Sequence, residues 1–553
     1  MDLQRLFLFL IFSFSLVLVW DGWQRYQHPD RFAQPTEATA NPTLNTQKAT
    51  IPPNSSAEAR QSEGVITQQP GLIEGRTILV KTDLVEAEIS TVGGNIRKLA
   101  LLQHPDSLDK TRPIILFEQG EGTHNYIAQT GLLGAGLPNH NSLFSADRES
   151  YELLKNEDQL QVRLKSLENR RIQVTKIITF HKASYLIDVV YELENTSNQI
   201  VSTSPYFQFI RDSQSPRGSS KFLPTYTGGA VYTEQEKFQK IDFNSIESGS
   251  AEYPKKVEDG WIGMLQHYFV SAWLPPDNVG REYFSRKLDG DSYSIGLVQQ
   301  EINIEPGKKA HLSSRLYAGP AKTGLDKIAP GLGLTVDYGW LTVIATPLFW
   351  VMTHFNDWTH NWGIAIILLT VLIKLIFFPL SAASYRSMAK MRLVAPKLEK
   401  IKEQYGSDRE QLNRAMMDLY KTEKINPLGG CLPVLIQIPV FIALYWSILA
   451  SVEMRYAPFF GWITDLSAAD PYYILPVIMG VSMVVQMRLN PKPPDPIQAK
   501  VMQIMPIAFS VIFLFFPAGL VLYSIVNNLL SIAQQWYITR SAETENKGAT
   551  LKR

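Results

Sequence analysis

The stretch Gly363–Leu380 reads GIAIILLTVLIKLIFFPL, and its reading decides the class of this chain. A helix needs about 20 predominantly apolar residues to cross a bilayer. Four more apolar stretches follow: Leu428–Ala450, Tyr472–Met487, Val501–Phe516 and Leu520–Tyr537. Any one of them suits the core helix of a water-soluble protein. Five within residues 361–540 do not, because a soluble core does not supply that much continuous apolar length. The sequence therefore predicts a membrane α-helical bundle with a five-helix core.

A sixth stretch, Leu6–Trp20 (LFLFLIFSFSLVLVW), follows Arg5. A cleaved signal peptide is the alternative, but the small-x-small cleavage pattern is missing and Trp20-Asp21-Gly22-Trp23 follows instead. Residues 1–26 are read as a retained signal-anchor span, with the tryptophans at the interface.

The averages of the 553-residue chain conceal this. Hydrophobic residues make up 45%, charged residues 19%, and the net charge is +1. The mean hydropathy of −0.07 would suit an ordinary soluble enzyme. Near-neutrality argues against a protein that binds nucleic acid directly. The single cysteine, Cys431, cannot form an internal disulfide.

Loop charge sets the orientation. The loop 382–427 carries ten lysines and arginines, whereas 451–471 has only Arg455. The loop 488–500 and the tail after Tyr537 are basic as well. The positive-inside rule places these basic segments, and with six spans both termini, in the cytoplasm. Residues 27–330 then lie outside, and a bacterial inner membrane with its periplasm is the natural setting.

Within the outer segment, residues 27–70 are polar, without periodicity, and read as a flexible tether. Residues 71–330 read as β: Thr77–Lys81, Gln161–Lys165, Ile172–Phe180, Tyr185–Leu193 and Ser292–Gln299 are β-branched and aromatic with partial alternation. Many short strands suggest a sandwich. His104, His181 and His267 lack ligand spacing, so no metal is assigned. Residues 331–360, rich in Trp and Phe, are read as an amphipathic helix at the outer interface, with a short extra span as the alternative.

The five C-terminal stretches contain one clear charge, Lys374. A lysine at a helix centre costs roughly 2.5–3.5 kcal/mol on insertion scales, so such residues normally face protein or water. Gly363, Thr370, Lys374 and Ser381 fall at i, i+7, i+11 and i+18, a small and polar stripe expected to line a hydrated cavity. Snorkelling to the cytoplasmic headgroups is the competing reading. With no carboxylate or histidine in the other four stretches, a proton relay is unsupported. Pro433, Pro439, Pro476 and Pro506 imply kinks.

Residues 384–426 read as a cytoplasmic helical hairpin. Leu398, Ile401 and Tyr405 share one face, and Leu412, Met416 and Leu419 another. Ser407-Asp408-Arg409-Glu410 has the capping-box pattern for the second helix. Arg392, Lys397, Lys400 and Arg409 are candidate contacts for a ribosome, a targeting factor or an incoming chain. A solvated arm is the plainer alternative.

Four runs carry a family resemblance: Ser387–Arg392 (SMAKMR), Lys424–Cys431 (KINPLGGC), Asp465–Pro476 (DLSAADPYYILP) and Phe516–Tyr523 (FPAGLVLY). With the order of anchor, β domain and five-helix core, the chain resembles the YidC family of bacterial inner-membrane protein insertases. The resemblance implies a β-supersandwich for the outer domain. It also implies a groove open to the cytoplasm and to lipid. The expected partners are nascent membrane proteins, the Sec translocon, the ribosome and the signal recognition particle receptor.

Lys374 then occupies the position of the family's groove cation, and Thr370, Gln437 and Tyr523 match other groove positions. The family usually has arginine where this chain has Lys374, and often a second tyrosine where it has Ser524. Arginine grips a carboxylate bidentately and stays charged, whereas lysine is a point charge that requires a wetter groove. No Walker A sequence is present, so neither ATP hydrolysis nor a cofactor is expected. A small-molecule transporter would predict repeated halves, which the sequence lacks. An enzyme would require clustered carboxylates in the β domain, which the sequence alone cannot reveal.

Overall fold

The computed structural model describes residues 75–120, 124–167, 172–216, 226–406, 408–423, 432–490 and 496–550. The expected anchor 1–26 and tether 27–70 lie outside the described residues, as do Ser407 and the run 424–431 with Cys431. The chain divides into two compact units, with the boundary between Val336 and Asp337.

The first unit is all-β. Among the described residues it forms one sheet of eleven strands and one of nine. Pairing is antiparallel except where Leu79–Lys81 runs parallel to Ser150–Glu152. Strand Leu186–Asn195 shows the cause most plainly: Ile187, Val189, Tyr191 and Leu193 point inward while Asp188 and Glu192 are less buried. That period of two matches the pleat. Phe207 and Phe209, in the eleven-stranded sheet, meet Trp273 of the nine-stranded sheet at ring centroid distances of 5.2 and 5.7 Å. The two sheets therefore face each other across a shared aromatic core, as in a sandwich. Strands Trp261–Gln266 and Phe269–Leu274 are buried along their whole length, so alternation could not reveal them.

The second unit is helical: α1 (Thr342–Thr359), α2 (Trp362–Ile376), α3 (Phe378–Tyr405), α4 (Arg409–Thr422), α5 (Leu432–Ala450), α6 (Ile474–Arg488), α7 (Pro496–Phe513) and α8 (Ala518–Thr550). α8 packs against α2, α3, α5 and α6. Asn361 starts α2 by accepting from the Ile364 amide at 3.1 Å, as an N-cap should.

The apolar stretch Gly363–Leu380 is not one straight helix. It bends by 66° between α2 and α3. Pro379 causes this: its ring clashes with the carbonyl four residues back and it has no N–H to donate. Among the described residues no single helix is long and apolar enough to cross a membrane, whereas this bent pair is. Gln437–Ala450, Ile474–Arg488 and Lys500–Phe513 are shorter apolar helices. Many of their large apolar side chains point outward, among them Val477, Val481, Ile504, Ile507 and Ile512.

Two local expectations need correction. Of the four prolines expected to kink helices, Pro433 and Pro476 lie in the first turns of α5 and α6. The missing N–H is harmless there, and only Pro439 and Pro506 are interior. The cap of α4 is Asp408 rather than Ser407: its carboxylate accepts from the Glu410 and Gln411 amides at 2.9 and 3.1 Å. A carboxylate there also complements the helix dipole.

In α1, Ala345, Phe349 and Met352 are buried, while Val343, Trp350 and Trp358 are exposed. The loop between α5 and α6 folds over the start of α8. Ala518 N donates to Ala468 O at 2.7 Å, and Gly519 N to Leu466 O at 2.9 Å. These carbonyls satisfy first-turn N–H groups that a helix leaves unpaired. Asp470 holds the loop by accepting from Trp462 Nε1, Tyr472 N and Leu475 N at 3.0, 3.0 and 2.7 Å.

Candidate functional site

Lys374 lies in the last turn of α2, where the helix carbonyl ends favour a cation. It is buried, 8% exposed. Its ammonium donates to Ser531 Oγ on α8 at 2.7 Å, and Ser531 in turn donates to the Asn527 carbonyl at 2.7 Å. Among the described residues no ion pair neutralises Lys374. A buried cation without a counter-charge is costly unless water or a polar ligand reaches it.

A recess enclosing about 360 Å³ of empty space, counting space open to solvent, borders this ammonium. Lys374, Ser381, Gln437 and Asn527 give it polar walls, and Phe377 and Leu380 lie at the bend. Four helices, α2, α3, α5 and α8, thus meet around one cation. The arrangement offers no nucleophile–base pair. It can attract acidic or polar groups and leave apolar ones against the neighbouring helices.

The other candidates distribute as follows. Gln437 lines the recess, and its Nε2 lies 3.4 Å from the hydroxyl of Tyr523, which is itself buried behind it. Thr370 is buried and donates to Ile366 O at 2.7 Å. Ser524 donates to Leu520 O at 2.9 Å. Both hydroxyls are thus spent on their own helices. Gly363, at the far end of the expected stripe, packs against Phe459: a Cβ there would lie 2.0 Å from the ring.

On the hairpin, Lys397 pairs with Glu423 at 2.6 Å while both remain substantially exposed. Such pairs contribute about 1 kcal/mol or less. Lys400 is exposed, Arg392 is half-buried and Arg409 opens α4. In the β unit, His181 bonds Asp188 at 2.8 Å, His104 packs edge-on to Phe269, and His267 stacks on Tyr268. Among the described residues no group of side chains could hold a metal.

Ser531 is the site residue that sequence reasoning missed. A signal existed: Tyr523, Asn527, Ser531 and Gln535 recur every fourth residue and share one face of α8. Further along that face Gln535 Nε2 donates to Leu489 O and Asn490 Oδ1 at 3.1 and 3.0 Å, tying α8 to the end of α6.

Comparison with known proteins fits this architecture. Residues 77–351 match the family model of the YidC periplasmic domain, and residues 354–546 match that of the 60Kd inner membrane protein. The membrane protein insertase YidC of Nitrosospira multiformis is 55% identical over 98% of both chains. That of Methylobacillus flagellatus is 54% identical, again over 98% of both. A crystal structure of an active YidC insertase, 20% identical, aligns over 84% of this chain and 93% of that one with a TM-score of 0.39. Family members are inner-membrane proteins with a periplasmic domain, and not enzymes. On the strength of its full-length relatives and of both family models, the chain belongs to the YidC family of membrane protein insertases.

Proposed function

We propose that this chain takes hydrophobic segments of nascent proteins into the bacterial inner membrane, alone or beside the Sec translocon. The observation that carries the reading is the recess with one unneutralised cation, Lys374, on a unit whose helices α6 and α7 turn apolar side chains outward. In this reading the chain has six spans: the anchor 1–26 and the five of the core 361–540. Both termini and the hairpin 384–426 are cytoplasmic, residues 27–330 are periplasmic, and 331–360 lies along the outer interface. The groove is hydrated and open to the cytoplasm, and Thr370, Gln437, Tyr523 and Ser524 support it around Lys374. The hairpin basic residues Arg392, Lys397, Lys400 and Arg409 contact the ribosome or the signal recognition particle receptor.

The mechanism needs no bond chemistry. The polar flank of an incoming segment enters the recess, and Lys374 offsets part of its desolvation cost, most for an acidic flank. The apolar segment then slides along α6 and α7 into lipid. Transfer is driven by roughly 25 cal/mol for each Å² of apolar surface removed from water. In a reconstituted assay Lys374→Glu lowers insertion of substrates with acidic translocated flanks at least tenfold, by repulsion, while Lys374→Arg is tolerated. Equal insertion by wild type and Lys374→Glu would sink the reading. A photocrosslinker near position 374 should capture a stalled nascent chain.

A further inference from the structure

Ser531 is 3% exposed and faces α2 and α3 from α8. A serine hydroxyl has one proton to give and two lone pairs to receive. The proton is committed to the Asn527 carbonyl at 2.7 Å. The oxygen is therefore oriented as an acceptor, and Lys374 Nζ donates to it at 2.7 Å across 157 residues of chain. The Tyr385 hydroxyl of α3 approaches the same side chain. One hydroxyl thus joins the three helices around the bend at Phe377, and the ammonium beside it keeps further N–H donors for the recess it lines.

The lysine stem is long and flexible, and a lysine near a helix end can extend toward the interface. Among the described residues it is the hydrogen bond to Ser531 that restrains this ammonium. We infer that Ser531 is a positioning residue that holds the Lys374 charge at the recess and thereby sets which flanking charges the insertase accepts. A neutral acceptor restrains the ammonium without cancelling it. An arriving acidic group can therefore still be attracted, and Ser531 serves as the resting partner it displaces. The inference rests on the insertase reading above and gives its cation a built-in selectivity control.

The test uses the full-length protein in proteoliposomes, with three substrates that differ only in an acidic, neutral or basic translocated flank. Ser531→Ala should lower insertion of the acidic-flank substrate roughly tenfold relative to the neutral one, as expected for losing a hydrogen bond to a charged group. Ser531→Thr, which keeps the hydroxyl, should restore it. Ser531→Asp should place a counter-charge on Lys374, abolish the acidic preference and favour the basic flank. The proposal is overturned if Ser531→Ala and Ser531→Asp keep the wild-type ranking while Lys374→Glu does not. It is also overturned if Ser531→Ala loses all three substrates alike, which marks a purely structural role. If Lys374→Glu itself behaves as wild type, the insertase reading of the recess fails, and this inference with it.

Discussion

Lys176 and Lys374 are the two buried lysines among the described residues, one in each unit. Lys176, on strand Ile172–His181, is 1% exposed and donates to the carbonyls of Gly93 and Gly94 at 2.9 and 2.8 Å. The ring of Tyr191 lies 5.7 Å away. Gly93 and Gly94 take positive φ, +72° and +59°, and a Cβ on Gly94 would come within 3.1 Å of Nζ. The glycines thus permit both the turn and the approach of the ammonium. Burial pushes Lys176 down to about 7, and a neutral amine still has two N–H bonds, enough for both carbonyls. Lys374 has one hydroxyl partner and borders an open recess. Burial does not by itself mark a functional cation. The distinction lies in whether its donors are already spent on fixed acceptors.

Exchanging each lysine for methionine is the strongest way to break the comparison. Lys176→Met leaves two buried carbonyls unsatisfied and should destabilise the β unit by about 3 kcal/mol. Denaturant unfolding of the full-length protein in detergent reads this. Lys374→Met removes an unneutralised charge, so the same measurement should move by about 1 kcal/mol or less, while insertion of acidic-flank substrates falls. A large stability loss in Lys374→Met would erase the distinction.

A pH series sharpens the comparison with a smaller effect. Lys176 ordinarily titrates at 10.5, so between about pH 7 and that value the unfolded chain holds a proton that the folded chain has shed. Stability of the β unit therefore rises with pH across that window, by at most about 1.4 kcal/mol per unit. His140, 2% exposed with Nδ1 2.6 Å from the Tyr206 hydroxyl, is pushed by burial from 6.5 to about 4. Its contribution is present above the ordinary value and is lost as pH falls from 6.5 toward 4. Lys176→Met should flatten the alkaline rise and leave the acid loss intact. The smallest effect is expected at the hairpin. Asp408→Ala removes the cap of α4 and should cost about 1 kcal/mol of helix stability, seen as reduced protection of amides 410 and 411 from hydrogen exchange.

The same contrast explains what was legible beforehand. Lys374 stood out because it interrupts an apolar run, and apolar length alone announced the helical unit. Lys176 was equally visible in principle: residues 172, 174, 176, 178 and 180 share the inward face of one strand, and a lysine there demands a partner. Ser531 could not be recognised by itself. Serines that bond back to their own helix are common, and its importance comes from a partner 157 residues away. The strands around Trp273 escaped because burial on both faces removes the period of two. The bend at Phe377 escaped because apolar length does not distinguish one straight helix from two joined at an angle, although Pro379 was in view.

That bend also bears on how the chain itself is assembled. The 66° turn ends the apolar helix α2 after 15 residues and leaves Lys374 in its last turn, beside the corner. In the proposed topology the ammonium then sits at a helix end beside the bend rather than at the centre of one long apolar helix, where a charge costs most. Under the proposed function, the corner would lower for the chain's own charged helix the barrier that the recess lowers for its clients.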